Sequence, residues 1–496
     1  MERVEPQRLP EMLVRASVAA LAFVALCACL PATIEQEEMT LAVPAGVRVL
    51  DPALSTDRYS RQVMNLLYTR PVSIDPETGG VVGELALDWE TSEDGLEWVF
   101  RFHEGRAFSS GRQITAADVA ASLRRIVDPR LGSDLAPLMY TVAGAYEFHT
   151  ASAPNPHGIS APEKYLLRIT LDVPTPELPA VLDRVGHVAS VAEDGVTILE
   201  DYSGAFHIES EQGRSLVLRR TSNEERAPPW LSDRLRILRA PSPARALVEF
   251  AAADMLLIDS QDINERPSGS VLIDATPIPV VHHLQLNAAT PPTDEITVRR
   301  ALASSIAPIS IENALPFGVV PIVGIAAPGV AAAPRGSSPR GNEPLARLQL
   351  ATAAQRPPIV VGYNEGAKNA RVVQAVAELW ETSLGVDSVV QAYPRGEYFD
   401  AINDLNVFRV GHSSRIRDAR PVFEDLFHSR LGVNWVNHNE SRIDAAIDAA
   451  ALGGEHISRR RQYLEAADLI LHERALAIPL YAEQRLLFRR RSDDDN

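Results

Sequence analysis

A strand, a helix and a second strand follow one another between residues 359 and 391. Residues 359–363 form a continuous apolar run, and residues 370–384 have the periodicity of an amphipathic helix that ends at Gly385. Residues 387–391 read as the next strand. A connection of this kind joins two parallel strands, usually through a right-handed crossover. The segment therefore predicts a parallel sheet and favours the α/β class of folds.

A second region with clear local signals lies nearer the N-terminus. Residues 96–103 alternate, so that Trp98, Phe100 and Phe102 fall on one face of a strand. The sequence TAAD at residues 115–118 is a capping box, which predicts a helix to about Val127. Further strands are predicted over residues 165–171, 216–220, 281–286 and 407–410, and further helices over residues 61–68, 299–306, 441–451 and 458–473.

The composition limits the functions that remain possible. The chain has 496 residues, of which 48 are basic and 65 acidic, so its net charge is 48 − 65 = −17. Binding nucleic acid through phosphates requires clustered Lys and Arg, which argues against a nucleic-acid partner. No G-x-S-x-G, P-loop or H-E-x-x-H motif is present. We therefore expect a protein that is not an enzyme and that carries no cofactor or metal.

The N-terminus resembles an export signal. Arg15 precedes an apolar run over residues 16–30, which is too short to span a bilayer. The run ends in Leu-Cys-Ala-Cys, a sequence that resembles a bacterial lipoprotein signal with Cys29 as the lipidated residue. The sequence predicts a signal peptide over residues 1–28 that starts at Met1 or Met12. A plain secretory signal or a buried N-terminal helix are the alternatives.

Several motifs occur in the order typical of one family. They include LDP at residues 50–52, the segment DGLEWVFRF at 94–102, FSSGRQITAADV at 108–119, and DP at 128–129. The segment NAATPPTDEITVRRALASSI and the closing AIPLYAEQRLLF follow later in the chain. This order resembles the extracellular solute-binding proteins of the oligopeptide/dipeptide/nickel class (family 5), which serve bacterial ABC importers. The resemblance covers almost the whole chain after the signal.

The resemblance implies a periplasmic binding protein-like α/β fold with three domains in two lobes (class II, cluster C type). Such a fold has mixed sheets and an interlobe cleft, and hinge motion closes the lobes over a ligand. Domain I is discontinuous and is assigned residues 38–49, 165–262 and 477–496. Domain II is assigned residues 50–164, and domain III residues 263–476.

The resemblance also suggests ligand-binding residues. In oligopeptide-binding members, a segment R-A-G-W-x-A-D-Y follows a strand of domain III, and its Asp pairs with the peptide's amino terminus. Arg409 and Gly411 match this motif, but His412 stands at the Trp position and Arg415 at the Asp position. The remaining candidates, which lie where the family places aromatic walls or domain II contacts, are Tyr140, Tyr481, Asp57 and Arg58.

Arg415 changes the ligand that can be expected. An Arg cannot accept a hydrogen bond from an ammonium group and repels it, so the ligand offers an anion near Arg415 or is not a linear peptide. The alternative is a shift of register in which Asp418 takes over the role of the family's Asp. Arg409 suits a carboxylate because its guanidinium is a planar fork.

These features together predict the substrate-binding component of an ABC importer. It captures a peptide or peptide-like solute between its lobes and delivers it to the permease subunits. The alternative is an orphan envelope lipoprotein of the same fold that acts in sensing or structure, with an altered or non-peptide ligand. We expect a monomer in the periplasm or cell envelope, bound to the membrane through its lipid anchor.

Overall fold

The computed structural model describes residues 38–44, 47, 50–221, 231–333, 341–354, 358–453 and 456–491. The predicted signal peptide and Cys29 lie outside these residues. Within them, no helix is both long enough and apolar enough to cross a membrane.

The strands are labelled in chain order. They are β1 Met39–Val43, β2 Val72–Ile74, β3 Val81–Gly83, β4 Ala86–Thr91, β5 Glu97–Phe102, β6 Ile159–Glu163, β7 Leu166–Thr170, β8 Ala189–Val191, β9 Ile198–Tyr202, β10 Phe206–Gln212, β11 Ser215–Arg220, β12 Arg234–Arg239, β13 Met255–Asp259, β14 Ser270–Leu286, β15 Val320–Pro321, β16 Ile359–Asn364, β17 Ser388–Tyr393, β18 Val407–Ser413 and β19 Ala477–Arg490.

The α-helices cover the sheets. They are α1 Arg58–Leu67, α2 Ala116–Ile126, α3 Ala145–His149, α4 Leu178–Val185, α5 Pro243–Glu249, α6 Ile296–Ser305, α7 Glu343–Ala351, α8 Ala367–Leu384, α9 Arg395–Ala401, α10 Arg420–Phe427, α11 Ser441–Leu452 and α12 His456–Asp468.

One large mixed sheet runs through most of the described chain. Its strand order is β10-β11-β12-β1-β13-β19-β14-β18-β16-β17, and β15 pairs with β19. β19 lies at the centre because it pairs antiparallel with β13 on one side and with β14 on the other. The C-terminal strand therefore joins strands from residues 39–259 on one side to strands from residues 270–413 on the other.

The predicted β-α-β unit is confirmed. β16 and β17 are parallel, with Ile359 opposite Ser388, and α8 connects them. Gly385 ends α8 with φ of 65°, a left-handed conformation that glycine adopts without steric cost. Trp380 anchors the helix because its ring is fully buried and its Nε1–H donates to the Leu302 carbonyl at 3.1 Å.

A separate sheet of four strands, in the order β4-β5-β7-β6, forms the second large unit. The alternation predicted for residues 96–103 is confirmed, since Trp98, Phe100 and Phe102 are buried on one face of β5. The predicted capping box is also present, because the Thr115 backbone N–H donates to Asp118 Oδ2 at 2.8 Å. Helix α2 packs on the same core.

The predicted boundary between domain II and the middle segment of domain I needs correction. Domain I was expected to resume at residue 165, but β7 pairs with β5 and β6 in the four-stranded sheet. Leu178 and Val185 of α4 belong to the same hydrophobic core as Phe100. This unit therefore continues past α4, and the pattern of β7 alone did not reveal which sheet it would join.

Candidate functional site

Two cavities adjoin each other: one lies between the four-stranded unit and the large sheet, and the other is lined by the large sheet and the segments packed on it. The first, here called the arginine cavity, has a volume of about 710 Å³ and is lined by Arg58, Arg61, Arg184, Arg415 and Arg485 among others. The second, here called the tyrosine cavity, has a volume of about 400 Å³ and is lined by His282, Tyr398, Arg409, Tyr481 and Glu483 among others. Val280 and Ser413 line both, so one ligand can occupy both spaces.

The structure distributes the predicted site residues between these cavities. Arg58, Tyr140 and Arg415 line the arginine cavity. The residues that line the tyrosine cavity are Arg409, Gly411, His412 and Tyr481. Asp57 lines neither.

The tyrosine cavity is built on three neighbouring strands. His282 of β14 lies opposite Gly411 of β18 and opposite Tyr481 of β19. The rings of His282 and Tyr481 stack with centroids 4.4 Å apart. Gly411 makes room for this arrangement, because a Cβ at this position would lie 2.8 Å from His282 Nδ1. The register of the sheet thus brings together residues from three distant parts of the sequence.

A buried polar network connects the side chains at this wall. Arg409 Nη2 donates to His282 Nδ1 at 2.7 Å and to the Tyr481 hydroxyl at 2.8 Å. Since an arginine can only donate, His282 Nδ1 accepts, and Nε2–H donates to Glu483 Oε1 at 3.0 Å. Burial and the neighbouring Arg409 hold the pKa of His282 well below its ordinary value, so the ring is neutral. His282 therefore couples Arg409 to Glu483.

Glu483 is the acidic member of this network. Its Oε2 atom is buried and has no hydrogen-bond partner among the described residues. Burial, followed by the nearby Asp259 carboxylate, raises the pKa of Glu483 to about 7. An incompletely bonded carboxyl group in a cleft is suited to receive a donor from a ligand.

Arg58 contributes to the arginine cavity through a fixed ion-pair cluster. Its Nε lies 3.0 Å from Asp259 Oδ2, and its Nη2 lies 2.9 Å from Asp262 Oδ2. The Tyr59 hydroxyl also donates to Asp262, at 2.8 Å. Both acidic partners lie on or next to β13, so Arg58 ties helix α1 to the large sheet. Its charge is balanced before any ligand arrives.

Arg415, rather than Asp418, reaches the cleft. Arg415 is exposed and lines the arginine cavity. Asp418 is 1% exposed and forms a bidentate pair with Arg459, with distances of 2.7 and 2.9 Å. The alternative in which Asp418 replaces the family's amino-terminus ligand does not agree with this geometry, because its two oxygens already face a buried guanidinium.

His412 and Tyr140 occupy the two cavity rims. His412 Nε2 lies 2.8 Å from Asp425 Oδ2, which orients the ring at the tyrosine cavity. Tyr140 meets the ring of Tyr146 edge-on with centroids 5.2 Å apart. Both contacts fix the side chains in place without blocking the cavities.

Asp57 has a structural role in this molecule, and its role as a ligand residue stays a prediction. Its Oδ1 accepts hydrogen bonds from the backbone N–H groups of Tyr59 at 3.1 Å and Ser60 at 2.7 Å, and so caps helix α1.

We expect Asp57→Ala to lower the free energy of unfolding by about 1 kcal/mol, because the first turn of α1 loses its acceptor. Asp57→Ser should retain most of this stability. Urea titration of both variants measures the difference in the free energy of unfolding. Ligand affinity is measured alongside, because a loss of affinity in Asp57→Ser would show that Asp57 contacts the ligand.

Sequence reasoning missed several residues that line the cavities. Glu483 and Arg485 follow the predicted Tyr481 on the same face of β19, and this period of two was a usable signal once the strand had been recognised as continuous. Arg61 and Arg184 line the arginine cavity from helices α1 and α4. No local pattern connects them, since 123 positions separate them in the chain.

The fold and the cleft define a two-lobed binding protein, in which a shared sheet carries one wall of a polar interlobe site. The model of the family "Bacterial extracellular solute-binding proteins, family 5 Middle" matches residues 80–432, and the chain belongs to this family.

Individual relatives agree with this assignment. The chain is 33% identical over 161 residues to a dipeptide-binding protein of Lactococcus lactis, a match that covers 32% of this chain and 29% of that protein. It is 24% identical to the periplasmic murein peptide-binding protein MppA of Escherichia coli, over 90% of this chain and 88% of that protein. The unliganded open form of MppA superposes with a TM-score of 0.79 at 21% identity, covering 92% of this chain and 93% of that one.

Proposed function

We propose that this solute-binding protein captures a peptide or peptide-like solute between its lobes and delivers it to the permease of an ABC importer. The observation that carries the proposal is the pair of adjoining cavities, whose walls come from both the four-stranded unit and the large sheet. The relatives named above, a dipeptide-binding protein and a murein peptide-binding protein, support a peptide-like ligand.

The site contains the groups that a peptide requires. Arg409 presents a buried guanidinium whose Nε has no partner among the described residues, which suits a carboxylate. Tyr398, Phe399 and Tyr481 supply aromatic surface against which varied side chains pack. Water can bridge the remaining space, so that side chains of different size are accepted.

Delivery requires no covalent chemistry. A ligand that contacts both lobes has a higher affinity for the closed arrangement than for the open one, and so it shifts the population toward closure. The closed form then docks on the permease, while the empty form does not. The same differential affinity that closes the lobes thus distinguishes loaded from empty protein.

The location of the protein follows from the same proposal. A lipid on Cys29 would tether the folded chain to the membrane of the cell envelope after removal of residues 1–28. One acyl-modified cysteine is sufficient to hold a monomeric receptor near its permease. The mass of the N-terminal peptide from detergent-extracted protein tests this, since an unmodified N-terminus at any other residue would contradict it.

Native mass spectrometry of the protein from residue 30 onward tests the ligand class. We expect a set of short peptides to leave the protein on collisional activation, because the aromatic surfaces of the tyrosine cavity accept varied side chains. A single non-peptide compound would contradict the peptide proposal while preserving solute capture. An empty protein that also fails to bind a tripeptide library would favour an envelope lipoprotein without transport.

A further inference from the structure

The arginine cavity is strongly cationic in a chain whose net charge is −17. Five arginines line it, whereas Asp134 is the one acidic residue that does so in the described part of the chain. A positively charged cavity in a negatively charged protein concentrates negatively charged ligands.

Two of the five arginines are neutralised within the protein. Arg485 pairs with Asp259 at 3.0 Å, and Arg58 pairs with Asp259 and with Asp262. These carboxylates lie behind the cavity, on and after β13. They account for the charge of Arg58 and Arg485. Asp183 lies near Arg61 and Arg184, and Asp57 near Arg184, but neither carboxylate forms an ion pair with these arginines.

The remaining three are Arg61, Arg184 and Arg415, and none forms an ion pair with a described residue. Arg184 donates from Nη2 to the Ser55 carbonyl at 3.2 Å, but its Nη1 is buried without a partner. Only 6% of the Arg184 residue surface is exposed. The guanidiniums of Arg61 and Arg415 have no hydrogen-bond acceptor among the described residues.

These three cations also act on one another. Burial, followed by Arg184 as the leading neighbouring cation, lowers the pKa of Arg61 to about 9, so the group is still charged at neutral pH. Burial lowers the pKa of Arg184 as well; the Asp183 and Asp57 carboxylates oppose this shift, and Arg415 adds to it across the cleft. An unliganded protein thus holds mutually repelling charges on both sides of one cavity. An anion between them would relieve this repulsion.

We infer that the arginine cavity is a subsite for two or more carboxylates of an acidic peptide, held by Arg61, Arg184 and Arg415. This inference rests on the proposed function and narrows its ligand class. Planar guanidiniums match carboxylates in bidentate geometry, and the same cluster repels basic side chains. The adjoining tyrosine cavity favours a peptide over an inorganic anion, because its aromatic walls and Glu483 suit apolar groups and an ammonium group.

Calorimetric titration with three tetrapeptides tests the inference. The peptides Ala-Glu-Glu-Ala, Ala-Gln-Gln-Ala and Ala-Lys-Lys-Ala have the same length and differ in charge. We expect the Glu peptide to bind at least about tenfold more tightly than the Gln peptide, and the Lys peptide most weakly, because hydrogen bonds to charged groups are worth about this much. Citrate serves as the non-peptide anion.

Two variants connect the effect to the cluster. Arg61→Gln and Arg415→Gln remove charges that make no hydrogen bond, so the fold should be preserved. Together they should weaken binding of the Glu peptide by about tenfold or more and weaken the Gln peptide much less, so that the preference for Glu over Gln falls. Arg430→Gln is the matched control, because the side chain of Arg430 is 75% exposed and does not line either cavity.

The outcomes separate this inference from the proposed function. Equal binding of the Glu and Gln peptides, or a loss as large in Arg430→Gln as in the double variant, would overturn the inference and leave a peptide receptor. Binding of citrate without any peptide, lost in the double variant, would support an anion subsite but overturn its assignment to a peptide and the proposed function with it. Binding of the Lys peptide in preference to the Glu peptide would overturn the inference outright.

Discussion

Asp418→Asn should lower the free energy of unfolding by about 3–5 kcal/mol, the range typical for breaking a buried ion pair. Asp418 and Arg459 are 1% and 3% exposed, and two hydrogen bonds join them. Removing the negative charge leaves Arg459 buried, and the Asp418 carboxylate is the main neighbour that raises the pKa of this arginine. Urea denaturation followed by circular dichroism measures the loss.

A matched variant and a rescue separate this effect from a general sensitivity to substitution. Asp425→Asn should change stability by less than about 1 kcal/mol, since its side chain is 59% exposed and its contact with His412 Nε2 is open to solvent. Replacing both members of the buried pair, as Asp418→Leu with Arg459→Met, should recover a large part of the loss. A loss below about 1 kcal/mol in Asp418→Asn would show that the pair contributes little.

The buried pair matters for function because of where it lies in the chain. Asp418 Oδ1 also accepts a hydrogen bond from the Arg420 backbone N–H at 2.9 Å, at the beginning of α10. The segment between β18 and α10 carries Ser414 and Arg415 to the arginine cavity. The ion pair of Asp418 anchors the C-terminal end of this segment and thus restricts the orientations of the Arg415 side chain. Asp418→Asn should therefore also weaken ligand binding, although Asp418 touches no ligand.

Local patterns were sufficient to predict the elements that depend on neighbouring residues alone. The parallel pair β16 and β17, the helix α8 between them and the capping box of α2 were all readable, because each is defined by contacts within about 30 residues. The predicted ends of the strands and helices were less accurate. The strand predicted over residues 281–286 begins at Ser270, since bulges break its alternation while the pairing with β19 continues.

Features that depend on distant pairing could not be read in this way. Residues 477–490 form the single strand β19, because β14 pairs with them from Ala477 to Arg490 while β13 pairs with them from Arg485 to Arg489. The assignment of β7 to the four-stranded sheet likewise depends on β5, which lies more than 60 residues earlier. Strand propensity indicates that a segment is extended, and it contains no information about the partner.

The same distinction applies to the site. The resemblance placed Arg409, Gly411 and Tyr481 because the family's motifs surround them, and the structure shows them lining one cavity. It did not find Glu483, which lies two positions after Tyr481. Cavity residues outside family motifs are recognisable only when the sheet register is known, since the register decides which side chains share a wall.

Glu483→Gln should abolish a pH dependence of stability that the unchanged protein shows between about pH 5 and pH 8. The ordinary pKa of a glutamate is 4.5, and in the folded protein burial and Asp259 raise it to about 7. Between these values the folded state binds a proton that the unfolded state has released, so stability falls as the pH rises. The difference corresponds to about 3 kcal/mol, because each pKa unit is worth about 1.4 kcal/mol.

The charges around Glu483 determine the sign and size of this effect. Asp259 on β13 opposes ionisation, whereas Arg58, Arg409 and Lys368 favour it, and the neutral His282 donates one hydrogen bond to Oε1. A glutamine keeps that acceptor but cannot ionise. Urea titrations at pH 5 and pH 8 measure how much the free energy of unfolding differs between the two pH values. This difference should be about 3 kcal/mol smaller in Glu483→Gln than in the unchanged protein. Glu90→Gln is the control, because the side chain of Glu90 is 63% exposed. An unchanged difference in Glu483→Gln would mean that Glu483 ionises in the folded cleft as it does in water, and that the tyrosine cavity presents a full negative charge to its ligand at every pH tested.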